Sequence, residues 1–170
     1  MKHLWMAIAA LLVATGLPAA EPSDEILKLK DKIVELQNKG SLGFRNFTLC
    51  KKIIGFGSYV PLTEPTVGKQ SEILAYFEPI NVTTVKKDGL YEIWYTGDMV
   101  LLKENGEVLK EWKDFLSFKY TSKSPVMDLF CKYSLDLEGA LAPGKYQLKA
   151  VLKDKLGDKT SAIQAPFEVK

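Results

Sequence analysis

The chemistry open to this chain is bounded by two cysteines, one histidine and one strand-like segment crowded with aromatics. Cys50 and Cys131 have 80 residues between them and form no Cys-x-x-Cys pair. Thioredoxin-type redox chemistry, iron–sulfur clusters and c-type haem attachment are therefore not expected. What remains for the two thiols is a disulfide between strands or two separate burials. The sole histidine is His3. A chain that loses it has no Ser-His or Cys-His nucleophile and no imidazole for zinc, copper or haem. No cofactor, metal or catalytic set is expected, and the chain does not read as an enzyme.

Two further groups bear on chemistry. Glu92 and Asp98 lie on one face of a strand, but six residues at roughly 3.3 Å each put their Cα atoms about 20 Å apart, too far for a glycosidase pair. Tyr91, Trp94 and Tyr95 sit in the segment Leu90-Tyr91-Glu92-Ile93-Trp94-Tyr95. Aromatic faces beside carboxylates suit a sugar-binding surface, whereas the same residues serve equally well as core or cross-strand ladder. Gly55-Phe56-Gly57 lacks the third glycine and the following helix of a dinucleotide fingerprint and is expected to be a turn.

These residues need elements to position them, and the first twenty residues say where. Lys2 and His3 precede an uncharged apolar run, and small residues Ala19-Ala20 follow Pro18. That is the layout of a secretory signal peptide over residues 1–20. The apolar stretch Leu4 to Leu17 covers 14 residues, short of the roughly 20 that span a bilayer. An exported chain, periplasmic or secreted, with no membrane span is expected. Without Lys2 it has 22 Lys and Arg against 21 Asp and Glu, a net charge of +1. Only Arg45 supplies a guanidinium fork, so no nucleic-acid partner is expected.

Within a segment 21–40, residues 22 to 39 are expected to form one amphipathic helix. Ser23 can cap it, Asp24 and Glu25 fall in its first turn, and Gly40 follows its last periodic residue. Its stripe is Ile26, Leu29, Ile33 and Leu36, a candidate docking face for its own domain or for a partner. Self-packing is favoured, since exposed apolar patches are uncommon on soluble monomers. From Phe44 onward the period moves toward two. Strands are expected at Phe47 to Ile54, Ser71 to Glu78, Leu90 to Leu102 and Val108 to Trp112. The last two are joined by a hairpin turn at Asn105-Gly106. Alternation then runs through Met127 to Leu137, Tyr146 to Leu152 and Ile163 to Val169.

The segment Leu141-Ala142-Pro143-Gly144-Lys145-Tyr146-Gln147-Leu148, with Asp154 and the closing Phe167-Glu168-Val169, resembles the last hairpin of bacterial secreted immunoglobulin-like domains. The likeness covers residues 137–170. Together with the switch to period two near Phe44 and the three alternating closing strands, it points to a mainly β chain: an immunoglobulin-like antiparallel β-sandwich of about seven strands over residues 41–170, with one N-terminal amphipathic helix. The function expected is structural or protein-partner binding without catalysis. A carbohydrate- or small-ligand-binding module built on Tyr91, Trp94 and Tyr95 is the alternative, and neither partner nor ligand is named by the residues.

Overall fold

The computed structural model describes residues 22–68, 72–136 and 141–170. The expected leader at 1–20, Glu21 of the expected helical segment, Ser71 of the expected second strand and Leu137 of the expected alternating strand lie outside the described residues. Among the described residues the chain is mainly β, with one helix followed by ten strands.

Helix α1 spans Pro22–Lys39, with Asp24 and Glu25 in its first turn and Lys39 in its last. The Gly40 N–H closes its end on the Leu36 and Gln37 carbonyls at 3.1 and 3.0 Å. Lys159 Nζ then donates to the carbonyls of Asn38, Gly40 and Asn81 at 3.0, 3.0 and 3.2 Å. A cation at a helix C-terminus meets the negative end of the macrodipole, so this contact ties α1 to the end of the domain. The face that docks is not the expected one. Val34 is buried, Asn38 exchanges two hydrogen bonds with the Thr84 backbone at 2.8 and 2.9 Å, and Asp31 accepts from Lys86 and from the Tyr91 hydroxyl. Ile26, Leu29, Ile33 and Leu36 remain 52%, 59%, 43% and 59% exposed. The expectation that this stripe packs on its own domain is thus corrected: hydrogen bonds from the polar side of the helix hold it instead.

The strands are β1 (Gly43–Gly55), β2 (Ser58–Pro61), β3 (Thr66–Val67), β4 (Glu72–Ile80), β5 (Thr84–Lys87), β6 (Leu90–Lys103), β7 (Val108–Ser122), β8 (Cys131–Asp136), β9 (Gly144–Asp154) and β10 (Lys159–Val169). One sheet runs β2-β1-β4-β8. The other runs β3-β10-β9-β6-β5, with β7 on the far side of β6. All pairings are antiparallel except β3 with β10. The expected count of about seven is exceeded because β2, β3 and β5 are short.

Alternation along the strands places the core between the sheets. Ile73, Ala75 and Phe77 from β4 and Tyr133 and Leu135 from β8 face Ile93, Tyr95, Met99 and Leu101 from β6 and Leu148, Ala150 and Leu152 from β9. Tyr133 stacks on Phe77 at 5.5 Å and on Phe115 at 5.0 Å. A second, smaller cluster lies on the outer face of the first sheet. There the β1–β2 hairpin folds back so that the Gly57 N–H donates to Tyr76 Oη at 2.8 Å, with Tyr59 stacked on Tyr76 at 4.2 Å.

Candidate ligand-binding cleft

A well-defined concavity is assembled by three segments far apart in sequence. The β9–β10 hairpin supplies its floor. Asp154 organises the hairpin turn by accepting from the Leu156 and Gly157 N–H groups, each at 3.1 Å, and from the Thr83 N–H at 2.7 Å. Full register from Lys159↔Asp154 to Val169↔Gly144 then sets Tyr146 opposite Phe167, and the rings stack at 5.6 Å. The loop before β3 supplies one wall. The Glu168 N–H donates to the Pro65 carbonyl at 2.8 Å and the Lys170 N–H to the Val67 carbonyl at 3.1 Å. The β6–β7 turn supplies the other. Gly106 takes φ +87°, as the Asn-Gly pair leads one to expect, and Lys103 grips Glu107 across it at 2.9 Å. Glu104 is thereby carried to within 3.5 Å of Lys145 Nζ.

The cleft encloses about 490 Å³ and is lined by Glu64, Pro65, Thr66, Glu104, Lys145, Tyr146, Gln147, Pro166, Phe167, Glu168 and Lys170. A more open recess of about 390 Å³ continues past it, sharing Glu104, Lys145 and Tyr146. The result is an elongated groove with one aromatic ring at its middle. Tyr146 Oη donates to the Ala142 carbonyl at 2.8 Å, so the ring is fixed. Three carboxylates and two ammonium groups on the first cleft's lining nearly cancel, and Gln147 and Thr66 add neutral hydrogen-bonding groups. Chemically this is a surface of mixed donors and acceptors around an aromatic floor.

The residues singled out by sequence are not brought together. Tyr91 and Tyr95 point inward at 3% and 1% exposure, Tyr91 to receive α1 through Asp31 and Tyr95 to meet Cys131 Sγ at 3.6 Å. Trp94 points outward, half-buried beneath Lys119, whose Nζ is 4.5 Å from the ring centre. The expected aromatic surface is therefore split between two faces of β6, because i and i+3 on a strand oppose one another. Glu92 pairs with Lys119 at 3.1 Å. Asp98 is buried between Lys153 Nζ at 2.5 Å and the Asp114 N–H at 2.9 Å. Burial would raise its pKa, but these hydrogen bonds outweigh it and hold the carboxyl below its ordinary range.

Cys50 and Cys131 are both buried and both free, so of the two alternatives the structure has separate burial. Cys131 aligns with Phe77 on the inner face of the first sheet, while Cys50 aligns with Leu74 on its outer face. A sheet's thickness separates them. In the sequence Tyr146 and Glu168 stand out only as parts of the closing hairpin motif, and Glu64 and Lys170 carry no signal of their own. The turn signal at Asn105-Gly106 and the Pro143-Gly144 corner were the only local signs that these segments converge.

No family model matches the chain, and no curated protein matches it. A similar solved structure is the Pseudomonas fluorescens alkylpurine DNA glycosylase AlkC bound to DNA containing an abasic site analog, at TM-score 0.45 and 11% identity. The match covers 86% of this chain and 36% of that one, so this chain spans little more than a third of its neighbour. That neighbour is a DNA-bound enzyme. At a TM-score of 0.45 and 11% identity the likeness decides neither the expected structural or protein-partner role nor the expected lack of a nucleic-acid partner.

Proposed function

We propose that this is an exported domain that binds a neutral saccharide in the groove centred on Tyr146. The observation carrying the reading is the fixed Tyr146 ring flanked by near-cancelling carboxylates and ammonium groups in a cleft of about 490 Å³. A polyhydroxylated ligand offers an apolar ring face to the aromatic and hydroxyls to both kinds of charged rim. The volume falls within the ~300–1,000 Å³ of small-molecule sites. Strong net charge on the ligand would meet an unmatched rim group of its own sign. The reading is one of binding, carried by the donors, acceptors and aromatic face of the lining. Export is supported by Lys2 and the uncharged run from Leu4. The finer architectural reading, an immunoglobulin-like sandwich, is supported by two sheets enclosing one core and by the β9–β10 closing hairpin.

Calorimetric titration with a panel of neutral oligosaccharides tests the reading. At least one should bind, Tyr146→Ala should weaken it by about tenfold or more, and Tyr146→Phe should keep most of the affinity, since its hydroxyl is already spent on Ala142. No binding by any member, or equal binding by Tyr146→Ala, would overturn it. Sequencing the exported chain should place its first residue at or beside Glu21.

A further inference from the structure

Helix α1 presents two faces to two environments, and only one is accounted for. Val34, Asp31 and Asn38 fasten it to the domain. On nearly the opposite side Ile26, Leu29, Ile33 and Leu36 stand between 43% and 59% exposed. We propose that two copies of this chain pair through that stripe as an antiparallel helix pair.

The occupant follows from spacing and charge. Steps of 3, 4 and 3 residues are the a/d pattern by which one helix accepts another, and four such positions are too regular for scattered surface apolars. A twofold axis passing beside residue 31 sets Ile26 against Leu36 of the partner subunit and Leu29 against Ile33 of the partner subunit. Each contact occurs twice, as an isologous interface requires. In that register Glu25 flanks the seam opposite Lys39 of the partner subunit, again twice. The acidic first turn and the basic last turn of α1 are therefore self-complementary only when the helices run in opposite directions, and the macrodipoles then oppose as well. A parallel pair would send Glu25 to Lys30 of the partner subunit, which already donates to its own Ser124 at 3.2 Å, and would leave Lys39 without a counterpart. Two like-charge approaches remain, Lys32 against the partner's Lys32 on one flank and Lys30 against the partner's Lys30 on the other. Lys32 is already held by Glu35 at 2.8 Å, and Lys30 is drawn to Ser124 at 3.2 Å. Eight apolar side chains and their charged flanks bury on the order of 1,000 Å² in total, the lower edge of a specific interface, so a dimer in the micromolar range is expected.

Sedimentation equilibrium of the exported chain across the micromolar range is the test. A monomer–dimer equilibrium is expected, and Ile33→Asp should raise its dissociation constant at least about tenfold while leaving the melting temperature of the monomer unchanged. Glu25→Lys and Lys39→Glu should each weaken self-association, and an equimolar mixture of the two should recover a dimer, because each variant then meets its opposite charge at both flanks. A parallel pair would instead be insensitive to Lys39→Glu, which would overturn the proposed arrangement. A chain that stays monomeric at every concentration overturns the proposal outright. If that monomer co-sediments with vesicles of phosphatidylglycerol and phosphatidylethanolamine, the stripe's occupant is a lipid surface instead.

Discussion

Replacing Glu78 by Ala takes one buried acceptor away from three donors at once. The residue is 3% exposed and accepts from Arg45 Nε at 2.7 Å, Asn46 Nδ2 at 3.0 Å and Tyr76 Oη at 2.8 Å. These partners do not suffer equally. Arg45 and Asn46 reach solvent and can exchange the carboxylate for water at little cost. Tyr76 is wholly buried under Tyr59 and Phe130, and an orphaned buried donor costs about 1–3 kcal/mol. The side-chain volume lost beside it adds about 1 kcal/mol. A loss of about 2–4 kcal/mol in urea unfolding follows, or roughly 5–15 °C in melting temperature for a domain of this size. Tyr76→Phe removes the donor itself, so the two changes should couple by about 1 kcal/mol in a double-mutant cycle. The pH dependence has a sign. Burial would raise the Glu78 pKa, but hydrogen bonds from Asn46, Arg45 and Tyr76 outweigh it and hold it below the ordinary carboxylate value. Its contribution is complete above that ordinary value and drains away as pH falls through the depressed one. Glu78→Gln should flatten this acid limb. A loss under about 0.5 kcal/mol, or strict additivity with Tyr76→Phe, would refute the reasoning.

Two further predictions concern the interior. A Cβ at Gly157 would lie 2.0 Å from Thr83 Oγ1 and 2.9 Å from Asp154 Oδ2, so Gly157→Ala should displace the β9–β10 turn and cost about 2–4 kcal/mol by thermal melting; an unchanged melting temperature would contradict this. Burial raises the Cys50 thiol and pushes that of Cys131 up to about 12. The native chain should therefore be inert to a thiol reagent at neutral pH and expose two titratable thiols once unfolded without reductant, whereas finding none would restore the disulfide.

What the sequence made legible was whatever short-range pattern decides. Helix α1 was readable to the residue at its C-terminus because its charges, periodicity and Gly40 agree, and the Asn105-Gly106 hairpin because its turn demands φ > 0. The face by which α1 docks was not readable. Hydropathy points to the stripe with four apolar residues, while the anchoring is done by Asp31 and Asn38 through hydrogen bonds that no periodicity encodes. The strand expected to end at Trp112 runs on to Ser122, past a point where the backbone at Asp114 turns left-handed, φ +46°, and the register against β6 shifts between Gly97 and Met99. Alternation fails across such a bulge. Tyr91 and Tyr95 were ambiguous for the opposite reason, since period two fixes that they share a face but not which face is inside. The groove was hidden altogether, being made of residues near 65, 104, 146 and 168 that only the parallel β3–β10 contact and the β6–β7 turn bring together.

The central claim, that the groove around Tyr146 takes a neutral saccharide, is tested most directly by mapping backbone amide shifts during titration with the oligosaccharide panel. The account predicts shifts concentrated at Thr66, Glu104, Lys145 to Gln147 and Glu168, saturating together. Shifts confined to the outward face of β6 around Trp94, or none with any member of the panel, would contradict it.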